Sequence, residues 1–383
     1  MKGFKHLPYY LGQSQIDASE IDATKEIVSS GDLFRYGKEE NISAKLERKI
    51  TNFLGCSHSL VMANATFALQ ASIVATKPVI GDVVLIPGIS FIATANAVLS
   101  VGLIPIMIDV DKSGHLCPIM LSNYLKNNPK PRAVIFVHLE GHGGKIQEIS
   151  NICKENDIVL IEDASQSFGA RSGDKFLGTF GELGCFSFQS NKILSSGEGG
   201  VLIGNDVNLF DNAKKYTDHG CSRKDNGLPL WNEHSFFGGN AKATNITSAV
   251  INAQFEKLVN IQKSLKDKYT EIKNILTGKV HFIERASSDN FVSLWIEDIN
   301  VAEVFRQHKI PHSNWTHWNL QENPIIKQRL SPYGDGFPWS LKTLQQQICP
   351  VSNQICTERI SLPILLDDDD FSLLTRKLRS LFC

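Results

Sequence analysis

Between residues 60 and 205, short apolar runs alternate with helix-like stretches. The runs are VVLIP (83–87), IPIMIDV (104–110), AVIFVHL (133–139) and IVLIEDA (158–164); an alanine-rich segment from Ile92 and KIQEISNICKEN (145–156) lie between them. Continuous β-branched runs bounded by turn residues predict strands buried on both faces of a mostly parallel sheet, covered by helices. The fold class is therefore α/β. In open sheets of this kind ligands collect beyond the carboxyl ends of the strands, so the polar residues that follow each run are the candidates for chemistry. After about residue 248 the pattern becomes one long helix, AVINAQFEKLVNIQKSLKDKYTEIKNIL, and then irregular sequence containing Trp315, Trp318 and Trp339. This predicts a large domain over 1–250 and a smaller C-terminal α+β domain over 251–383. The closing LDDDDFSLLTRKLRSLF predicts a helix capped by Asp370 that buries Phe371, Leu374, Leu378 and Leu381.

Composition narrows the partner more than the fold. A chain of 383 residues with a formal charge of −1 and a pI near 6.8 has no broad field for nucleic acid or an anionic membrane, which points to a small-molecule partner. The first fifteen residues lack the apolar stretch of a signal peptide, and no later run is long enough to span a bilayer, so a cytoplasmic location is expected. Cys56, Cys117, Cys153, Cys185, Cys221, Cys349, Cys356 and Cys383 contain no CxxC pair and are expected to be reduced. His138 and His142 flank Gly141 instead of sharing a helix face, so they read as polar loop groups and not as metal ligands.

FSFQSNKILSSGEGGVLIGND (186–206) carries the chemistry. A P-loop has its glycines first and its lysine last, at a helix start; here Lys192 precedes Gly197, Gly199 and Gly200, and another strand-like run follows. Upstream, IVLI empties into Glu162-Asp163. A buried carboxylate needs a partner, and a protonated heterocyclic nitrogen such as that of pyridoxal phosphate rewards its permanent ionisation. Lys192 is then the natural Schiff-base lysine, because a semi-buried amine loses its proton and attacks a carbonyl. Asn64-Ala65-Thr66 offers N–H groups and a hydroxyl at a helix start, which suits a phosphate, and Ser187 adds another hydroxyl. Taken singly, each of these is explained as well by a cap, a turn, a strand position or a surface lysine. Their order together is what points to one cofactor site.

NATFALQAS, PGISFIATANAV, EDASQSFGA, FSFQSNKILSSGEGGV and GGNAKATNITSAVINAQFEKL resemble the successive signatures of the DegT/DnrJ/EryC1/StrS family of pyridoxal-phosphate enzymes, chiefly sugar aminotransferases. The match covers most of residues 20–260. The resemblance implies the aspartate aminotransferase (type I) fold, with a mostly parallel central sheet flanked by helices. It also implies a homodimer with shared active sites, and glutamate and a keto-sugar as substrates. Carried over by position, Lys192 forms the Schiff base and Asp163 pairs with the pyridine nitrogen. Gln166 lies beside the ring or its 3-oxygen, and Phe91 stacks on the ring. Ala65, Thr66 and Ser187 hold the phosphate, and Asn240 reaches it from the partner subunit. Lys242 stands where relatives commonly carry an arginine, and the presence of Lys192 instead of histidine argues for transamination over dehydration.

For the acceptor, GDLFRYG (31–37), VHLEGHGGK (137–145), TDHG (217–220) and TERISLPILL (357–366) resemble the branch that makes 8-amino-3,8-dideoxy-manno-octulosonate, an amino version of the lipopolysaccharide sugar Kdo. Arg35, Tyr36, His138 and Arg359 become the substrate candidates, with either arginine able to grip a carboxylate in two-pronged fashion or else to serve dimer packing or a helix end. Trp315, Trp318 and Trp339 line the acceptor pocket or belong to the core. Amination of a nucleotide-linked 4-keto or 3-keto sugar, an AHBA-synthase-like reaction, and a catalytically silent regulatory protein on the same fold are the alternatives.

Overall fold

The computed structural model describes residues 4–6, 11–37, 40–224, 226–283, 290–342 and 347–382. Seven strands form the central sheet: β1 (His58–Met62), β2 (Val83–Pro87), β3 (Ile104–Ile108), β4 (Ala133–Val137), β5 (Val159–Asp163), β6 (Leu183–Ser187) and β7 (Gly200–Gly204). Their order is β1-β7-β6-β5-β4-β2-β3, and β7 alone runs against the rest. The four apolar runs of the sequence are β2 to β5.

Side-chain alternation explains why these runs are apolar throughout. In β4, Ala133, Ile135 and Val137 enter one core while Val134 and Phe136 enter another, so neither face tolerates a solvated residue. The first core is closed by α3 (Ala65–Ala75), α4 (Ile92–Ser100) and α7 (Val207–Tyr216); the second by α5 (Pro118–Asn127) and α6 (Ile146–Glu155). Helix α3 is buried along most of its length through Ala65, Ala68, Leu69, Ala71, Ser72, Ile73 and Ala75, five of them small enough to let it sit close to the sheet.

Two further helices, α1 (Ala18–Ser30) and α2 (Ile42–Leu54), pack against α8 (Asn245–Leu276), whose 32 residues make it about 48 Å long. Residue 250, the expected domain boundary, falls inside its second turn. Beyond it lie β8 (Ser293–Ile296), α9 (Ile299–Gln307), β9 (Ser313–Asn314), α10 (Pro350–Glu358), β10 (Ile360–Pro363) and α11 (Asp368–Phe382), with an antiparallel sheet ordered β8-β10-β9. One apolar cluster runs from Leu46 and Phe186 through Leu258 and Leu265 to Leu294, Leu362 and Leu374, so α8 shares its core with both parts of the chain.

Some details differ from the sequence reading. Asp367, not Asp370, closes the start of α11, accepting the N–H groups of Asp369 and Asp370. Asp370 is buried and accepts the N–H groups of Lys5 (2.6 Å) and His6 (2.8 Å), which ties down the N-terminal segment. Phe371, Leu374 and Leu378 are buried as expected, with Leu381 packed partly against them. The cysteines from Cys56 to Cys356 are free, and burial pushes the thiols of Cys153, Cys349 and Cys356 up to about 12; Cys383 lies outside the described residues. No helix among the described residues is long and apolar enough to cross a membrane.

Candidate active site

The alternation that fills two cores also chooses which acidic residue serves the cleft. In β5, Ile161 faces α3 and α4 and Leu160 faces the opposite core, so Asp163 follows Ile161 and Glu162 follows Leu160. Glu162 is accordingly sealed on the far side, where it accepts the N–H groups of Gly178 (2.8 Å) and Gly181 (2.6 Å) and meets His138 Nε2 at 2.7 Å. Asp163 emerges below α4. Its Oδ2 accepts the Thr94 hydroxyl at 2.8 Å and its Oδ1 the Ser165 hydroxyl at 2.6 Å.

Lys192 sits on the hairpin between β6 and β7. Phe188 and Ser190 donate to Gly199 and Gly197 across that hairpin, and the Lys192 carbonyl accepts the N–H of Gly12 at 2.7 Å. The question of why glycines follow the lysine has a steric answer. A Cβ on Gly200 would stand 2.5 Å from the Asn64 carbonyl carbon and 2.7 Å from Ala65 N, so only glycine lets β7 pass directly beneath the start of α3. There the Asn64 side chain caps Phe67 N–H at 2.8 Å, and the first-turn N–H groups of Ala65 and Thr66, which have no intrahelical partner, open to the cleft.

Ala65, Thr66, Phe91, Asp163, Gln166, Ser187 and Lys192 all border this one cleft of about 490 Å³. Phe91 precedes α4 and is 57% exposed, and Gln166 Oε1 accepts the N–H of Glu140 at 2.8 Å. Burial pushes the Lys192 ammonium down to about 8, against the pull of Asp163, Glu140 and Glu198. Its Nζ makes no hydrogen bond or ion pair among the described residues.

Of the remaining candidates, His138 and Trp318 border the cleft and the others lie away from it. Arg35 is buried, with its guanidinium on Val61 O (2.6 Å) and Glu47 Oε1 (2.7 Å). Tyr36 lies between the guanidinium groups of Arg35 and Arg223, 5.2 and 4.7 Å from its ring centre. Arg359 is fully buried, stacked on Trp295 and Trp315, and bonded to Lys112 O (2.9 Å) and Glu297 (3.2 Å). His138 borders the cleft, but its ring is turned to Glu162. His138 and His142 lie in the loop after β4, as expected, but both are buried, and His142 stacks on Trp295 with 3.7 Å between ring centres. Asn240 is exposed and bridges to Asp218, away from the cleft of its own chain. Lys242 Nζ is held by Asp218 at 2.6 Å. Of the tryptophans, Trp318 borders the cleft with Ser313 and His317, whereas Trp315 and Trp339 are packed inside.

Sequence reasoning passed over Thr94, Ser165, His317 and Glu140. Thr94 carried a signal: it lies four residues after Ser90 at a helix start, and the two hydroxyls stand 2.7 Å apart. The Glu140 carboxylate carried no local one, because Ser293, Trp295 and Ser361, which donate to it, are more than 150 residues away.

This donor set fits pyridoxal phosphate: an unpartnered amine beside a fixed carboxylate, an open helix N-terminus for a dianion and an exposed ring above them. Comparison with known proteins agrees. The DegT/DnrJ/EryC1/StrS aminotransferase family matches residues 14–370. GDP-perosamine synthase of Vibrio cholerae is 26% identical over 358 residues, 93% of each chain. A DegT DnrJ EryC1 StrS aminotransferase from Brucella abortus superimposes with a TM-score of 0.82 at 22% identity, covering 98% of this chain and all of the other. The E. coli GDP-4-keto-6-deoxy-D-mannose-3-dehydratase with bound hydrated PLP gives 0.81 at 17% identity, covering 99% and 100%.

Proposed function

The chain belongs to the DegT/DnrJ/EryC1/StrS aminotransferase family of pyridoxal-phosphate enzymes, and from that membership we propose that it moves an amino group from glutamate to the carbonyl of a sugar. The observation that carries this reading is the convergence of Lys192, Asp163 and the N-terminus of α3 on one cleft.

Bound pyridoxal phosphate supplies a carbonyl that takes up the donor's amino group and a ring that accepts the electron pair of a broken bond. The chain's residues do the rest. Ala65 N–H, Thr66 and Ser187 would hold the phosphate, Phe91 and Gln166 would bracket the ring, and Asp163 would keep the ring nitrogen protonated. Lys192 Nζ, neutral above about pH 8, would be the base that takes a proton from the donor's Cα and the acid that delivers it to the carbon that was the cofactor's carbonyl. The position of Asn240 on the surface suits a role in a second subunit's site, so we assign the working form as a homodimer.

For the acceptor we favour the eight-carbon sugar acid 8-oxo-3,8-dideoxy-manno-octulosonate, on the four segments that resemble its branch. Trp318, largely buried, lines the cleft together with Ser313 and His317, so apolar and polar groups meet there, a combination suited to a polyhydroxylated chain. Its carboxylate would be gripped by groups other than Arg35 and Arg359, both of which are engaged within the chain. A nucleotide-linked keto-sugar is the second reading, favoured by the GDP-sugar named for the Vibrio relative.

Mass spectrometry of products decides between them. Purified enzyme is incubated with glutamate and either the eight-carbon acid or a GDP-, UDP- or dTDP-keto sugar. Amination of the acid supports the proposal; amination of a nucleotide sugar with none of the acid sinks it.

A further inference from the structure

Glu140 has no place in the scheme above, yet it is among the most constrained residues near the cleft. It follows β4 with φ 48°, a left-handed conformation uncommon for a residue that has a Cβ. The carboxylate is buried and faces the three-stranded sheet. There Oε2 accepts the indole N–H of Trp295 on β8 (2.5 Å), the hydroxyl of Ser361 on β10 (2.9 Å) and the hydroxyl of Ser293 on β8. The peptide N–H of the same residue donates to Gln166 Oε1 at 2.8 Å. With Oε1 pinned as the acceptor, Nε2 is left as the donating end of the Gln166 amide.

We infer that Glu140 is a positioning residue of the active site, the joint through which β8 and β10 hold Gln166 and this wall of the cleft in working geometry. The inference rests on the aminotransferase reading for what Gln166 touches. The physical reason is a rigid chain of short bonds. A charged acceptor held by three donors is fixed more firmly than a neutral one, and it keeps the left-handed peptide, and so the N–H, aimed at Gln166. Two of the four substrate-branch segments also meet at this point, 137–145 through Glu140 and 357–366 through Ser361. Three carboxylates, Asp163 on β5, Glu140 after β4 and Glu198 on the lysine hairpin, raise the proton affinity of Lys192 against the effect of burial.

Glu140→Gln removes the charge and places an NH2 group among the donors; Ser293→Ala removes one donor without entering the cleft. Both variants are measured with the cofactor-loaded protein for the pH midpoint of the visible band and for kcat and KM of the glutamate half-reaction. The cofactor-free proteins are labelled at Lys192 with trinitrobenzenesulfonate as a function of pH and read by mass spectrometry. Glu140→Gln should lower kcat about tenfold or more, the cost of a small misplacement of reacting groups, with a smaller change in KM, and should shift the Lys192 labelling midpoint to lower pH. Ser293→Ala should lower kcat in the same direction by less. Wild-type kcat and an unchanged midpoint, with only a lower melting temperature, would reduce Glu140 to a structural brace and overturn the inference. If Glu140→Gln does not fold, Ser293→Ala decides through kcat and the visible band. If the wild-type protein takes up no pyridoxal phosphate, the aminotransferase reading fails by itself, and the Lys192 labelling midpoints still decide for or against Glu140.

Discussion

Thr94 Oγ1 donates a 2.8 Å hydrogen bond to Asp163 Oδ2, so the hydroxyl of a helix packed on the sheet fixes the carboxylate that ends β5. Since the Thr94 proton is committed to Asp163, Ser90 must be the donor in the 2.7 Å contact between the two hydroxyls, and the chain runs Ser90 to Thr94 to Asp163. Such a relay holds one carboxylate oxygen in place and strengthens each bond in it.

Thr94→Val, which keeps the shape and removes the donor, should therefore slow the glutamate half-reaction. A hydrogen bond to a charged group is worth about 1.5–3 kcal/mol, so a loss of roughly tenfold to a hundredfold is expected, with the cofactor still bound. Asp163→Asn should cost more. Stopped-flow absorbance of the loaded variants checks both.

Lys192→Ala should lose turnover and the Schiff-base absorbance while the protein remains folded. In the cofactor-free wild type, the depressed proton affinity of Lys192 has a direct readout. The amine is neutral above about pH 8, so labelling at this position should be half-complete near that pH, well below a surface lysine. A midpoint near 10.5 would contradict the buried setting.

Gly200→Ala places a methyl group against the backbone of Asn64 and Ala65, which cannot move without moving the start of α3. Overpacking of this kind costs about 1–3 kcal/mol, and here it should fall on the phosphate end of the cleft. The expected result is a weaker dissociation constant for pyridoxal phosphate, measured by fluorescence titration, with a lower melting temperature beside it.

Asp218 is buried, which by itself would raise its pKa, but the hydrogen bonds from Arg223 and Lys242 outweigh burial and hold the carboxyl down at about 2. The sign follows: the pair's contribution to stability is complete above the usual value of 3.8 and is lost as the pH falls through about 2. Asp218→Asn should flatten that acid limb in urea titrations. Asp218→Ala, which strands Arg223 and Lys242 without their partner, should destabilise at neutral pH by about 3 kcal/mol.

Sedimentation should give a dimer, and mixing should expose the shared site. If Asn240 serves the partner's phosphate group, Asn240→Ala and Lys192→Ala proteins, each impaired alone, should regain part of the activity when unfolded and refolded together. An active wild-type monomer would remove Asn240 from the site.

The sequence by itself determined the sheet and most of the candidate residues that line the lysine end of the cleft, because both are written in local chemistry. Strands covered on two faces must be apolar at every position, so β2 to β5 stand out as uninterrupted runs. Candidate residues at strand and helix ends lie immediately beside those runs, as with Asp163 after Leu160 and Ile161, Thr66 at the start of α3 and Lys192 after β6, and the fold gathers them in one cleft. One cue misled: Asp370 has the composition of a cap but lies one turn too late. Arg35 and Arg359 have the right charge for an acceptor, and both are held by partners inside the chain. Only the tertiary structure decided those matters, together with the Thr94 hydroxyl, the inward turn of His138 and the place of Glu140. Each depends on which way a side chain points and on partners far away in sequence: 69 residues separate Thr94 from Asp163, and 221 separate Glu140 from Ser361. Neither periodicity nor composition carries a record of contacts that exist only once the sheets have packed.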